Sequence, residues 1–236
     1  MIELYGMGSP NVVKIYIALE EVGLPYNVHP VDVFAGKQFD ADFLKLNPMA
    51  KVPVIVDSDG PGGMPLTIFE SGAILLYLAE KTGRFLPANT PVARGELLSW
   101  LMFVASGIGP YSGQAVHFKH FAPEPKEYPQ KRYDYEAQRH WGILEERLAQ
   151  HRYMLGDTYT IVDMAVWGWA RALPFIFGEG AWETRPSLKR LVDEISARPA
   201  GVRAGAIKDR FTFKTENDEE ARRFMFPTLA AMSAKA

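Results

Sequence analysis

The stretch Lys51-Val52-Pro53-Val54-Ile55-Val56-Asp57 restricts this chain more than any other. Residues 54–56 form an apolar run of strand length, and the proline at its entrance has no N–H to give a sheet ladder. The backbone at Val52 therefore leaves the sheet through a special turn. A cis Val52–Pro53 bond is one way to make it, and would leave the Val52 backbone to pair with an extended peptide. The companion stretch is Phe69-Glu70-Ser71-Gly72-Ala73-Ile74, where a strand passes straight into a helix. Ser71 stands where that helix has N–H groups without intrahelical partners, a setting that favours a carboxylate.

The chain around this pair changes grammar once. Residues 2–5 read as a strand, and Ser9-Pro10 as a helix start with Ser at the N-cap and Pro at the first helical position. The helix over 11–22 carries Val12, Ile15, Tyr16 and Leu19 at helical spacing and stops at Gly23. A strand over 26–33, a loop at 36–38, a short helix over 42–46, strands over 54–56 and 66–69 and a helix over 71–81 follow. That order, βαβ then αββα, predicts an α/β thioredoxin-like N-terminal domain over 1–83. Residues 84–91, with two prolines, read as a linker, and the rest, 92–236, as an all-α C-terminal helical domain. Helices are expected over 92–106, again over 111–120 after a break at 107–110, and over 133–152 after a proline-rich loop at 122–129. Others are expected over 161–173, ending near Pro174, over 188–196 and from Pro199. Thr160-Ile161-Val162-Asp163 is a capping-box start with Asp at the third helical position. The tail from Thr212 is charged, then apolar at Phe224, Met225, Phe226 and Leu229; it reads as a flap over the core or as disordered, the aromatics favouring docking.

Composition narrows the function. With 236 residues, 47% hydrophobic, the chain can bury a sizeable core. Its 26 basic and 28 acidic residues, a net charge of -2, give no electrostatic case for nucleic acid or an anionic membrane. No run is long and apolar enough to cross a bilayer, and Met1-Ile2-Glu3-Leu4-Tyr5 lacks the basic lead of a signal peptide, so a cytoplasmic protein is expected. The chain has no cysteine, which excludes a disulfide scaffold, thiolate metal sites and a protein-thiol redox cycle.

With 51–57 and with Phe-Glu-Ser-Gly-Ala-Ile-Leu-Leu-Tyr-Leu-Ala-Glu-Lys at 69–81, the chain resembles the cytosolic glutathione transferases, and the resemblance extends over nearly its whole length. Ser9-Pro10-Asn11-x-x-Lys14-Ile15, Gly109-Pro110, Gly113-Gln114 and His117-Phe118-Lys119-His120 are similar to the bacterial nu class. The resemblance implies a homodimer that uses glutathione as co-substrate, as two molecules or as the disulfide, and no metal. It implies that Val52, before cis Pro53, pairs with the cysteinyl backbone of glutathione. Glu70 and Ser71 would hold the γ-glutamyl end, Gln38 and Lys51 the glycyl end, and Arg132 a second glutathione. Nu-class members reduce disulfides with glutathione and without a protein cysteine. The hydroxyl residue usual in that class is Thr; Ser9 keeps the hydroxyl and loses only a methyl. Conjugation of glutathione to an electrophile, or thiolytic cleavage of an aromatic ether, is the competing enzymatic reading. A non-catalytic interaction module on the same fold is another, against which the joint presence of Ser9, Asn11, Val52, Pro53, Glu70 and Ser71 argues.

A hydrogen bond to a thiolate stabilises the charged form and lowers the thiol pKa. Three donors lie beside the first helix start. Tyr5 sits inside a strand pattern and qualifies only if the strand ends there. Ser9 is either a plain N-cap or a cap whose proton is also donated. Asn11 is either a thiol donor or a solvated residue of the first turn. The binding residues have plain readings too: Gln38 a loop polar group, Lys51 a solvated charge, Glu70 a carboxylate favoured by the helix dipole, Arg132 a surface arginine. His117 and His120, three apart, could face one metal, but no third ligand of the right type is near in sequence. With Tyr111 and Phe118 they either line a second-substrate pocket or belong to the core.

Overall fold

The structure, a computed structural model, describes residues 1–227. Alternation builds the first strand: in β1 (Ile2–Gly6) Ile2, Leu4 and Gly6 are buried and Glu3 and Tyr5 are half-buried. β1 pairs parallel with β2 (Tyr26–Pro30) and antiparallel with β3 (Val54–Asp57), which pairs antiparallel with β4 (Leu66–Phe69). The sheet order is β2-β1-β3-β4, the thioredoxin-like arrangement. Between β1 and β2 runs α1 (Pro10–Val22), closed by Gly23 in the left-handed region at φ 74. Every residue from Val12 to Leu19 is buried, Lys14 included, so this stretch of α1 is covered on all sides. The sheet unit is completed by α2 (Ala41–Leu46) and by α3 (Ser71–Thr82), which ends on Gly83 at φ 63.

The helical half begins with α4 (Pro91–Phe103) and α5 (Gly109–Val116), then the long α6 (Glu127–Gln150). α7 (Ile161–Ala170) is its centre, with all ten residues buried. Its start is a full capping box: Val162 N–H donates to the Thr160 hydroxyl at 3.3 Å, and Asp163 accepts from Thr160 N–H at 2.8 Å and from Met154 N–H at 2.7 Å. α8 (Leu173–Phe177), α9 (Pro186–Ala197), α10 (Pro199–Ala206) and α11 (Glu219–Met225) follow. One hydrophobic core runs from Ile2 and Leu4 through α1 and α7 to Ile207, so the two units share their interior.

Several boundaries differ from the sequence pattern, each for a local reason. β2 stops at Pro30 rather than at 33, because Asp32 turns the chain by accepting from the N–H groups of Phe34 (3.0 Å) and Ala35 (3.2 Å). The loop expected at 36–38 contains a 3₁₀ turn, Lys37–Phe39. Gly107 and Pro110 do not break the helix. They are absorbed by a wide turn, Val104–Ile108, in which Gly109 N–H reaches back to Val104 C=O. A second wide turn, His117–Phe121, continues α5. α6 starts six residues early for its pattern, at Glu127, because Pro129 falls in the first turn, where its missing N–H has no partner to lose. α7 ends at Ala170, and Pro174 opens α8 instead of merely stopping α7. The tail docks: Asp218 caps α11 through Ala221 N–H at 2.8 Å. Leu229 lies outside the described residues.

Candidate functional site

The strand register gathers the candidate residues at one end of the sheet. Tyr5, Val54 and Phe69 face each other across β1, β3 and β4. One step further along, therefore, lie Gly6, Pro53 and Glu70, with the α1 start just beyond Gly6. The Val52–Pro53 bond is cis, and Val52 sits outside the ladder, which begins at Val54. Glu70 has φ 70 and ψ 112, a conformation that favours glycine and costs a carboxylate residue about 1–3 kcal/mol. Such backbone persists only where the surroundings impose it. Glu70 is exposed, Ser71 opens α3 and is 8% exposed, and no side chain caps that helix start. The first N–H groups of α3 thus face the site without a side-chain partner among the described residues, which suits an anion.

Ser9 occupies the N-cap of α1 at φ -75, ψ 157, but only its backbone caps: its C=O accepts from Val12 and Val13 N–H at 2.9 Å each. The hydroxyl makes no cap bond, so both of its hydrogen-bonding roles remain open. Asn11, two residues on, is fixed by the helical half: the Trp169 indole N–H donates to Asn11 Oδ1 at 2.9 Å. Tyr5 is engaged in packing, stacked on His29 at 4.6 Å and against Phe43 at 6.3 Å, in a strand that continues to Gly6. Lys14, one turn into α1, is 2% exposed; burial pulls its ammonium down to about 8, against the opposing pull of the Glu70 carboxylate.

The tail covers the loop side of this end. Gln38 is 4% exposed, donates through Nε2 to Phe224 C=O at 3.1 Å, and keeps a buried Oε1 with no partner among the described residues. A methyl on Gly36 would strike the Phe224 ring at 2.6 Å. Lys214 N–H donates to Asp32 at 2.8 Å, and Asn217 donates to His120 C=O at 3.3 Å. Phe226 packs edge-on to His117 at 4.6 Å. Lys51 is exposed, its carbonyl held by Asn47 Nδ2 at 2.8 Å.

Tyr111, Phe118 and His117, with Tyr133, form an aromatic wall on the helical half, while His120 faces Phe175 instead. Tyr133 stacks on Phe118 at 5.4 Å and lies 6.4 Å from Tyr111, and Arg132 beside it pairs with Glu136 at 2.7 Å. His117 is half-buried, and burial holds its imidazole below the usual range. His120 is exposed and stacks on Phe175 at 4.4 Å. No group of three His, Cys, Asp or Glu is clustered for a metal among the described residues. A separate cavity of about 310 Å³ opens beside Ser9, lined by its neighbours Gly8 and Pro10 and by Arg171, Phe175 and Ile207. His120 meets that cavity only through Phe175; Tyr111, His117 and Phe118 do not line it. Sequence reasoning placed Phe224 in a docking tail but gave it no partner, and it missed the contact of Trp169 with Asn11 and the place of Arg171 in the cavity. For Trp169 a signal existed: a glycine between two tryptophans inside a helix marks a close approach of backbones.

Among known proteins, the chain is similar to one family over both halves. The model for the glutathione S-transferase N-terminal domain matches residues 8–81, and that for the C-terminal domain matches residues 102–199. The disulfide-bond oxidoreductase YfcG of Escherichia coli (strain K12) is 42% identical over 208 residues, spanning 85% of this chain and 92% of the relative. A glutathione transferase family member from Pseudomonas fluorescens, solved with two glutathione bound, matches at a TM-score of 0.81 and 41% identity, over 86% of this chain and 91% of that one. A glutathione transferase from Pseudomonas putida, solved with one glutathione disulfide per subunit, matches at 0.82 and 37%, over 87% and 91%. By sequence over both halves and by fold, the chain belongs to the glutathione S-transferase family.

Proposed function

We propose that this protein is a glutathione-dependent disulfide reductase of the nu class, a cytoplasmic homodimer that supplies no thiol of its own. The observation that carries this reading is the pair of donors at the start of α1 in a chain without cysteine. The Ser9 hydroxyl is not spent on capping, and the Asn11 amide is held by its oxygen. Both are disposed to donate to a sulfur, which would stabilise a thiolate. The relative named a disulfide-bond oxidoreductase and the relative solved with glutathione disulfide support the same chemistry.

In this reading residues 1–83 form the glutathione-binding unit, 84–91 the linker and 92–236 the helical domain. Val52 pairs with the cysteinyl backbone beside cis Pro53, and Glu70 and Ser71 take the γ-glutamyl end. Lys51 and Gln38 meet the glycyl end. A carbonyl can only accept, so the Gln38 atom facing Phe224 is its amide nitrogen, and Oε1 is left to accept the glycyl N–H. Arg132 reaches a second glutathione, and Tyr111, His117, Phe118 and His120 line its side of the pocket. The first glutathione thiolate attacks one sulfur of the substrate disulfide, forming a mixed disulfide and expelling a thiolate that takes up a proton. A second glutathione thiolate then attacks the glutathione sulfur of the mixed disulfide, giving glutathione disulfide and a second substrate thiol. Exposed Phe69, Val92 and Met102 give apolar surface for the partner subunit.

The test is reduction of a small mixed disulfide by glutathione, coupled to glutathione reductase, beside conjugation of a chloronitrobenzene by the same preparation. Fast reduction with feeble conjugation is expected. Ser9→Ala should lower kcat for reduction roughly 10- to 100-fold, the worth of one charge-stabilising bond, while KM for glutathione moves little. Fast conjugation with no reduction would make the protein a conjugating enzyme instead. Sedimentation at micromolar concentration checks the dimer.

A further inference from the structure

We infer that Trp169 is a positioning residue for thiolate activation: its indole N–H holds Asn11 so that only the amide N–H₂ can face the reacting sulfur. The inference rests on the proposed role of Asn11 as a thiolate donor. An asparagine amide has an acceptor end and a donor end of nearly equal size, and a free one presents either. An oxygen turned toward a thiolate would repel the charge that the site is meant to stabilise. The indole N–H is donor-only, so the atom it meets at 2.9 Å is the Asn11 oxygen, and the donor end points away from Trp169.

The indole is itself held. α7 approaches α1 so closely at Gly168 that a methyl there would lie 2.8 Å from Pro10 C=O and 2.9 Å from Lys14 Cβ. Any residue other than glycine would push α7, and Trp169 with it, away from Asn11. On its other side the ring lies against Gly109 and Gly113, where added methyl groups would sit 3.4 Å and 3.9 Å from it. Trp169 is 8% exposed, so its bond to Asn11 is largely sheltered from water. A residue of the helical half, 158 positions away in sequence, thereby sets the polarity of a donor in the sheet half.

The experiment reads the pKa of enzyme-bound glutathione from thiolate absorbance as a function of pH, with kcat and KM for disulfide reduction, in Asn11→Ala, Trp169→Phe and the double variant. Asn11→Ala and Trp169→Phe are each expected to raise the bound thiol pKa by about one unit and to lower kcat roughly tenfold at neutral pH, with KM for glutathione nearly unchanged. The double variant should match Asn11→Ala alone. A raised pKa in Asn11→Ala with none in Trp169→Phe would overturn the inference and leave Asn11 as the donor. No shift in Asn11→Ala would remove the reading on which the inference rests. A Trp169→Phe effect that persists undiminished on the Asn11→Ala background would mean that Trp169 acts through packing, and would also overturn it.

Discussion

Lys14 is the residue whose burial is hardest to reconcile with its chemistry. It lies beneath α7 with 2% exposure, and desolvation draws its ammonium down to about 8, with Glu70 opposing. An unfolded lysine keeps its proton to about 10.4. Between these values the unfolded chain binds more protons than the folded one, so stability rises with pH across that window and the contribution is lost as pH falls through 8. Urea titrations of the wild type and Lys14→Met should therefore diverge between pH 8 and 10.5, with the wild type gaining roughly 2–4 kcal/mol relative to the variant. Parallel curves would mean that Lys14 finds a solvated position. At this scale the sequence reveals residue types but not their partners. Ser9-Pro10-Asn11 is visible as a helix start with two donors, because capping is local. The partner of Asn11 is not visible, because only tertiary packing brings Trp169 to it.

Among the elements, α7 shows how much of a fold a local signal can carry. Thr160 and Asp163 are legible as a cap, and the structure makes of them a buried box that also ties down Met154. Asp163→Ala removes three accepted hydrogen bonds, counting that from the Thr160 hydroxyl at 3.1 Å, and leaves buried donors unpaired. The expected loss is roughly 2–4 kcal/mol, measured by urea unfolding, with Asp163→Asn recovering part of it. A loss under about 0.5 kcal/mol would show that the cap is incidental. Proline and glycine are read less reliably as punctuation. Pro129 and Pro174 sit in first turns, and Pro110 follows a widened turn, so each lies within a helix that a breaker rule would end. The rule fails there because a proline costs a helix only where its N–H was needed.

For the whole molecule, the order βαβ–αββα followed by helices is legible because periodicity changes once, between α3 and α4. The shared interior is not, since no pattern in α1 says that its outer face will be covered by α7 and α10. Because one core spans both units, heat or urea should unfold the chain in a single transition, with the tryptophans of the helical half and the sheet signal lost together. Two separate transitions would show that the units are energetically independent. The same continuity explains how a tryptophan in one half can set a donor in the other.

The docked tail has a practical consequence. Phe224 rests on Gly36 and holds Gln38, while Lys214 is tied to Asp32, so the chain's last described turn is part of the wall around the candidate site. An exopeptidase that nibbled past Phe226 would begin to dismantle that wall.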